Sequence, residues 1–295
     1  MADIVWYPGH MARAKRLIKE ALPNIDMVIE LLDARAPISS RNPDFKSLFG
    51  NKPILTLLTK SSLADPVATK YFENKLRHDG REVIAIDCKD GKGIKNIQTG
   101  IRTLMKEKLE RDAVRGIKRP IRAMVVGITN VGKSTLINTI SGTKKAIAQD
   151  RPGVTRQNAR ISIPSLGLEL TDTPGILWHK FEDQTVGVKL ACLGSIKDDI
   201  LDTLELACRL IGIIRPYYSD CLCERFKIEI TDGDSDFDVF EKIARKRGFL
   251  RSGGVIDEDR AAGVILDEFR AAKIGRITLD RDGEGNQPKQ EDSEV

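Results

Sequence analysis

The sequence predicts an α/β protein: a mostly parallel sheet covered on both faces, followed by a smaller all-α domain. Three observations predict it. Short apolar runs alternate with helix-period segments from the start of the chain to about residue 178. Beyond Trp178 strand signals almost vanish, and apolar residues recur at helical spacing. Within the first region lies a glycine- and lysine-bearing loop flanked by a strand-like run and a helix. Strands alternating with helices imply parallel pairing with both faces buried. The expected organisation is residues 1–180 as the α/β domain, 185–280 as the helical domain, and 281–295 as a disordered tail.

The elements follow in order. Ile25–Asp33, Pro53–Thr59 and Glu82–Asp87 read as buried strands. Ile94–Glu110 reads as one helix, with Ile94, Ile97, Ile101, Leu104, Met105 and Leu109 on a single face. Arg122–Gly127 is a strand and Lys133–Ser141 a helix, and Arg160–Ile163 and Leu168–Asp172 are the last strand-like runs. Thr185–Ile214, Asp236–Arg247 and Glu258–Lys273 carry helical periodicity, with breaks such as Ser252-Gly253-Gly254 between them. From Asp280 the chain is polar, a composition that cannot bury enough apolar surface to order itself.

Bulk properties set limits. The 295 residues are 41% hydrophobic, enough for a sizeable core, and the net charge of +5 is compatible with an anionic partner without demanding one. No apolar run is long enough to span a bilayer, and no signal peptide is visible, so a cytosolic protein is expected. The five cysteines, an odd count, read as free thiols rather than a disulfide framework.

Gly127-Ile128-Thr129-Asn130-Val131-Gly132-Lys133-Ser134 fits G-x-x-x-x-G-K-[ST]. Its glycines let backbone N–H groups wrap phosphates, and the helix N-terminus beyond adds positive potential. Lys133 is placed to reach the β- and γ-phosphates, with Ser134 on Mg²⁺ and Thr135 following it. Downstream, Asp172-Thr173-Pro174-Gly175 closes an apolar run. A carboxylate there holds Mg²⁺ through water, and the Gly175 N–H senses the γ-phosphate. Between the two, Thr155 is the expected switch ligand to Mg²⁺.

The base-reading signal precedes the phosphate loop. Thr59-Lys60-Ser61-Ser62 ends one strand and Asp87-Cys88-Lys89-Asp90-Gly91 ends another. Ligands bind at the carboxyl ends of parallel strands, so both loops are expected on the same edge as the phosphate loop. The order is permuted: base loops first, phosphate loops last. Together with Trp6-Tyr7-Pro8-Gly9-His10-Met11 and Asp33-Ala34-Arg35-Ala36-Pro37, this order resembles the circularly permuted GTPases, and in particular the ribosome-biogenesis GTPase A (YlqF) family. The resemblance covers nearly the whole chain to about residue 280. It implies a P-loop GTPase domain of permuted motif order, followed by a helical domain that touches ribosomal RNA. It further implies GTP and GDP as ligands, Mg²⁺ as cofactor, and a role in late assembly of the bacterial large ribosomal subunit. The expected partners are the large-subunit precursor and its rRNA, with the chain acting as a monomer.

Several positions depart from that pattern or refine it. The family places Asp where this chain has Ser62. A serine hydroxyl cannot make the bidentate, charge-assisted contact to guanine, at a cost of about 1.5–3 kcal/mol per charged hydrogen bond, so weakened guanine selectivity is expected. Ile176 stands where many GTPases carry a water-orienting Gln. The resemblance points to His10, in an N-terminal loop, as the compensating catalytic residue, and to Asn130 as a ligand to K⁺. Basic clusters at Arg13–Lys19, Arg111–Arg119 and Lys242–Arg251 are candidate phosphate contacts or ordinary solvated faces. A weakly catalytic or nonselective nucleotide-dependent RNA-binding scaffold is the alternative function, and a metabolic P-loop kinase a third.

Overall fold

The computed structural model describes residues 8–78, 81–142, 160–173, 175, 177, 181, 183–196 and 202–282. α1 (Pro8–Ala21) leads into six strands: β1 (Met27–Asp33), β2 (Ile54–Thr59), β3 (Glu82–Ala85), β4 (Ile121–Gly127), β5 (Arg160–Ile163) and β6 (Leu168–Asp172). Between them lie α2 (Asp44–Phe49), α3 (Pro66–His78), α4 (Asn96–Leu104), α5 (Lys106–Val114) and α6 (Lys133–Ser141). The strands form one sheet in the order β3-β2-β1-β4-β6-β5, parallel throughout except that β5 runs antiparallel to β6. The carboxyl ends of β3, β2, β1, β4 and β6 therefore share one edge.

β1 is central, and all seven of its residues are buried. Its alternate residues serve opposite faces. Met27, Ile29 and Leu31 pack with Ile97 and Ile101 of α4 and with Leu136 and Ile137 of α6. Val28 packs with Ile18 of α1 and with Phe45 and Phe49, while Leu32 packs with Leu76 of α3. A strand covered on both sides needs an unbroken apolar run, which is what the sequence supplies. β5, at the edge, is exposed at two of its four positions.

Four departures from the sequence-based expectation have local causes. Pro8 opens a helix, so His10 belongs to the first turn of α1 and not to a loop. Proline's fixed φ and missing N–H suit the first helical position. The helix expected over 94–110 is two: Met105, at φ −103 and ψ 11, separates α4 from α5. Ile97 and Ile101 hold α4 to the sheet, whereas α5 has no buried residue, so no apolar packing keeps its axis in line with α4. The helix expected over 185–214 is also two, α7 (Gln184–Cys192) and α8 (Thr203–Phe226). Gly194, at φ 73, stops the first, and Asp202 caps the second by accepting from the Glu205 N–H at 2.9 Å. α8 runs twelve residues past Ile214, with Pro216 inside it and a kink at Tyr218.

α9 (Asp236–Lys246) opens on a Ser235/Asp238 capping box, and α10 (Glu258–Arg270) packs on α8. The apolar residues of α7–α10 are continuous with the core of one sheet face. The fourth departure is at the tail. Asp280 is 1% exposed and accepts from the Ile38 N–H (2.7 Å), the Ser39 N–H (2.9 Å) and the Ser39 hydroxyl (2.5 Å). It also pairs with the buried Lys189 ammonium at 3.3 Å. Arg281 lies over the Tyr217 ring at 4.0 Å. The polar run is thus packed at its first residues, because an acid needs only a buried cation and two amides to be worth ordering; residues 283–295 lie outside the described residues.

Candidate functional site

The phosphate loop leaves β4 at Gly127 and re-enters regular structure at Lys133, the start of α6. Gly127 sits at φ 155, where a Cβ would come within 2.8 Å of the Leu31 carbonyl oxygen. Gly132 sits at φ 104, and a Cβ there would meet nothing within 4 Å, so the loop is open in front of the helix N-terminus. That is the cradle an anion requires, with amides and the helix dipole converging on free space. Lys133 is buried, and its ammonium donates to the carbonyls of Gly127 (3.1 Å) and Ile128 (2.6 Å). Val131 is buried behind the loop, Ser134 is half-buried in the first turn of α6, and Thr135 is exposed.

The base loops are tied to this loop directly. The Thr59 hydroxyl donates to the Val131 carbonyl at 2.7 Å, with the Leu32 carbonyl 3.1 Å away sharing the same proton. Lys60, in the left-handed region at φ 55, donates to the Asn130 carbonyl at 2.7 Å and to Asp33 Oδ2 at 2.9 Å. The Ser61 N–H donates to the Ile86 carbonyl at 3.1 Å, joining the two base loops. The Ser62 hydroxyl donates to Asp87 Oδ2, and the Lys89 N–H to Asp87 Oδ1 at 2.8 Å. Cys88 is half-buried beside them, and burial pushes its thiol pKa up.

Asp33, at the end of β1, lies between the base loops and the phosphate loop. Its carboxylate takes Arg35 Nε at 2.9 Å and a terminal guanidinium nitrogen at 2.8 Å, besides Lys60. Burial works to raise its pKa, but the charges of Arg35 and Lys60 outweigh it and hold the acid well below the usual carboxylate range. Burial likewise pulls Lys60 down, against the opposing pull of Asp33.

The switch positions are reached in part. Asp172 closes β6 opposite Val125 of β4, which puts its backbone on the site edge. The Thr173 hydroxyl donates to the Val125 carbonyl at 2.6 Å, tying the end of β6 to β4. Gly175 lies against the phosphate loop, since a Cβ there would sit 3.0 Å from Lys133 Nζ and from Thr129 Cα. Thr155 and Ile176 lie outside the described residues, as do the side chains of Asp172 and His10. The structure thus gathers Thr59, Lys60, Ser61, Ser62, Asp87, Lys89, Asn130, Val131, Gly132, Lys133, Ser134 and Gly175 along one sheet edge.

Comparison with known proteins matches this arrangement. A family model described as a 50S ribosome-binding GTPase matches residues 122–210. Ribosome biogenesis GTPase A of Priestia megaterium is 45% identical over 287 residues, spanning 97% of this chain and 99% of its own length. The chain belongs to the ribosome biogenesis GTPase A family. A GDP-bound YlqF structure aligns with a TM-score of 0.65 at 28% identity, over 90% of this chain and 99% of that one. A GNP-bound YlqF from T. maritima aligns with a TM-score of 0.62 at 28% identity, over 91% and 98%. The fold is therefore the P-loop GTPase domain in its permuted form, followed by a helical region.

Within this member of the ribosome biogenesis GTPase A family, the helical region touches the site through backbone carbonyls. The Thr129 hydroxyl donates to the Ser195 carbonyl, and the Asn130 amide to that of Gly194 at 2.8 Å. Arg270, at the end of α10, donates to the carbonyls of Cys192 (3.0 Å) and Ala191 (3.1 Å). Arg276 donates to those of Ala64 (2.9 Å) and Ser61 (3.1 Å). Asp65 caps α3 through the Val67 N–H (2.8 Å) and accepts from the Tyr218 hydroxyl at 3.0 Å, so it is committed away from the base loop. Asp33 belongs to the Asp33–Pro37 segment that carries part of the family resemblance, though no role at the site was expected of it; Arg270, Arg276 and Asp280 carry no comparable local signal.

Several members of the basic clusters are paired within the chain. Lys242 meets Asp234 at 2.5 Å, Arg247 meets Glu268 at 2.8 Å, and Arg251 meets Asp257 at 2.8 Å. Lys15 meets Asp44 at 2.6 Å and Arg119 meets Asp26 at 2.9 Å. Among the described residues no helix is long and apolar enough to cross a membrane.

Proposed function

We propose that this chain is a GTP-binding and GTP-hydrolysing switch that assists late assembly of the bacterial large ribosomal subunit. The observation that carries the reading is the join between base and phosphate loops, Thr59 and Lys60 donating to the Val131 and Asn130 carbonyls, in a chain of the ribosome biogenesis GTPase A family. Loops far apart in sequence are held as one rigid cup. The Lys133 ammonium, already poised over the loop, turns to the β- and γ-phosphates when nucleotide enters.

Ser134, Thr155 and Asp172 are the proposed Mg²⁺ ligands. The half-buried Ser134 hydroxyl beside the open helix N-terminus fits the ion, which neutralises charge developing on the phosphates. Asn130 is the proposed K⁺ ligand through its side-chain Oδ1; the bond from its Nδ2 to the Gly194 carbonyl fixes the orientation of the amide. His10 is proposed to orient the attacking water in place of Ile176. Turnover that is equal in Na⁺ and K⁺, or unchanged in His10→Ala, removes the respective role.

The switch reaches the helical region by two routes, the chain after Gly175 and the Thr129 and Asn130 bonds to the α7 turn. Ordering the phosphate loop on GTP would reposition α7–α10 against rRNA. Where Lys242, Arg247 and Arg251 are paired with acids of the same chain, contact with rRNA phosphates exchanges those partners.

The decisive experiment is sedimentation with large subunits in GDP, a GTP analogue and no nucleotide. Wild type is expected to co-sediment with the analogue, and Lys133→Ala to lose both nucleotide and subunits. Co-sedimentation independent of nucleotide, with ATP turned over as fast as GTP, would instead establish the nonselective scaffold.

A further inference from the structure

The acid expected at position 62 is absent, but a carboxylate stands in contact with its replacement. β2 and β3 are parallel neighbours with Leu58 opposite Ala85, so the turns that follow them lie side by side. Ser62, half-buried in the first turn, donates its hydroxyl proton to Oδ2 of Asp87, the buried residue at the end of the second. The Ser62 N–H points at the same oxygen from 3.3 Å. Oδ1 is held by the Lys89 N–H at 2.8 Å, so the carboxylate is gripped from both loops. Burial works to raise its pKa, yet the hydrogen bonds from Ser62, Lys89 and Asp90 outweigh this and keep the acid ionised.

A hydroxyl carries one proton and two lone pairs. A free serine is ambivalent: it accepts from one base and donates to another. With its proton committed to Asp87, Ser62 offers lone pairs only. Guanine presents N1–H and N2–H₂ donors on the edge these loops read, whereas adenine presents an acceptor at N1 and a C–H at position 2. Hydrogen bonds in a chain polarise one another, so charge on Asp87 strengthens Ser62 as an acceptor.

We infer that Ser62 and Asp87 act as a divided base reader, Ser62 accepting from guanine and Asp87 supplying the negative charge behind it. Guanine selectivity is thereby kept, which reverses the expectation drawn from Ser62 alone. The inference rests on the reading of this edge as the GTP site. Asp87 is a positioning residue here; Ser62 is the one that meets the base.

The test compares GDP and ADP affinities of the full-length protein for wild type, Ser62→Ala, Asp87→Ala, Ser62→Asp and the exchanged pair Ser62→Asp/Asp87→Ser. The ratio of the two affinities does not depend on the fraction of protein that folds. Wild type is expected to favour GDP about 100-fold, and each alanine variant to lose about 10-fold or more of that ratio. Ser62→Asp alone sets two carboxylates against each other and also loses preference. The exchanged pair, with one acid and one hydroxyl in contact again, restores the ratio to within about 3-fold of wild type.

An unchanged ratio in both alanine variants, or an improved ratio in Ser62→Asp alone, overturns the divided reader. So does a wild type that binds ADP as tightly as GDP with Lys133-dependent affinity, which leaves the nucleotide site itself standing. A wild type that retains neither nucleotide defeats the reading of the site as well.

Discussion

Replacing Asp33 with alanine removes the one acid shared by Arg35 and Lys60 at the seam between base loop and phosphate loop. Arg35 is 2% exposed and Lys60 27% exposed on their side chains, so neither cation regains full hydration when its acid is lost. Breaking a buried pair from one side costs about 3–5 kcal/mol, because the remaining charge stays uncompensated. Partial hydration of Lys60 argues for the lower half of that range, about 3–4 kcal/mol. With a urea m-value of about 3 kcal/mol per molar, the unfolding midpoint falls by about 1 M. The assay is urea unfolding followed by fluorescence and circular dichroism together, so that a non-coincident transition is noticed. The Asp33→Leu/Arg35→Leu double variant should recover part of the loss, since a hydrophobic replacement of a whole buried pair is nearly neutral. A single variant within about 0.3 M of wild type, or a double variant worse than the sum of its singles, would refute the reasoning.

Other outcomes follow from the same geometry. Asp33 is depressed below its ordinary value of 3.8, and Glu268 below 4.5 because Arg225 donates to it. Their stabilisation is complete above those ordinary values and is lost as pH falls through the depressed ones. Stability should therefore decline below about pH 4 in wild type; in Asp33→Asn the decline over that range should be shallower, as read by melting temperature against pH. Gly175→Ala places a methyl 3.0 Å from Thr129 Cα, a backbone atom that cannot step aside. It should weaken binding of a GTP analogue about 10-fold or more by isothermal titration, and GDP binding less, since the Gly175 N–H is expected to meet the γ-phosphate, which GDP lacks. Thr59→Val keeps shape but drops the donor to the Val131 and Leu32 carbonyls. A loss of about 1–3 kcal/mol, or roughly 3–9 °C in melting temperature, is expected, and an unchanged melt would mean that the cross-loop bond contributes nothing.

Local pattern reached far into this protein. Lys133–Ser141, Arg160–Ile163 and Leu168–Asp172 are found at the residues their periodicity indicates, and Met27–Asp33 and Ile121–Gly127 within two residues of it. Glycine and lysine spacing located the phosphate loop, because wrapping an anion in amides demands those residue types in sequence. The failures lie where a local signal competed with a stronger one. A single apolar stripe over 94–110 concealed the turn at Met105, because α5 carries the helical period without a surface to bury it against. Gly194 and Asp202 marked a helix end and a helix start, but the apolar period across them was the louder cue.

The sequence by itself determined the parallel sheet, the phosphate loop and the permuted order of the motifs, since each strand and each loop is a short local pattern and their order is read directly along the chain. Only the tertiary structure decided that Ser62 has a carboxylate behind it 25 residues on, and that Asp33 serves two loops at once. It alone placed Asp280 on Ile38 and Ser39, about 240 residues away. Charge pairs of this kind carry no period. An ion finds its partner through space, in a dielectric that burial creates, and the chain must fold before either exists.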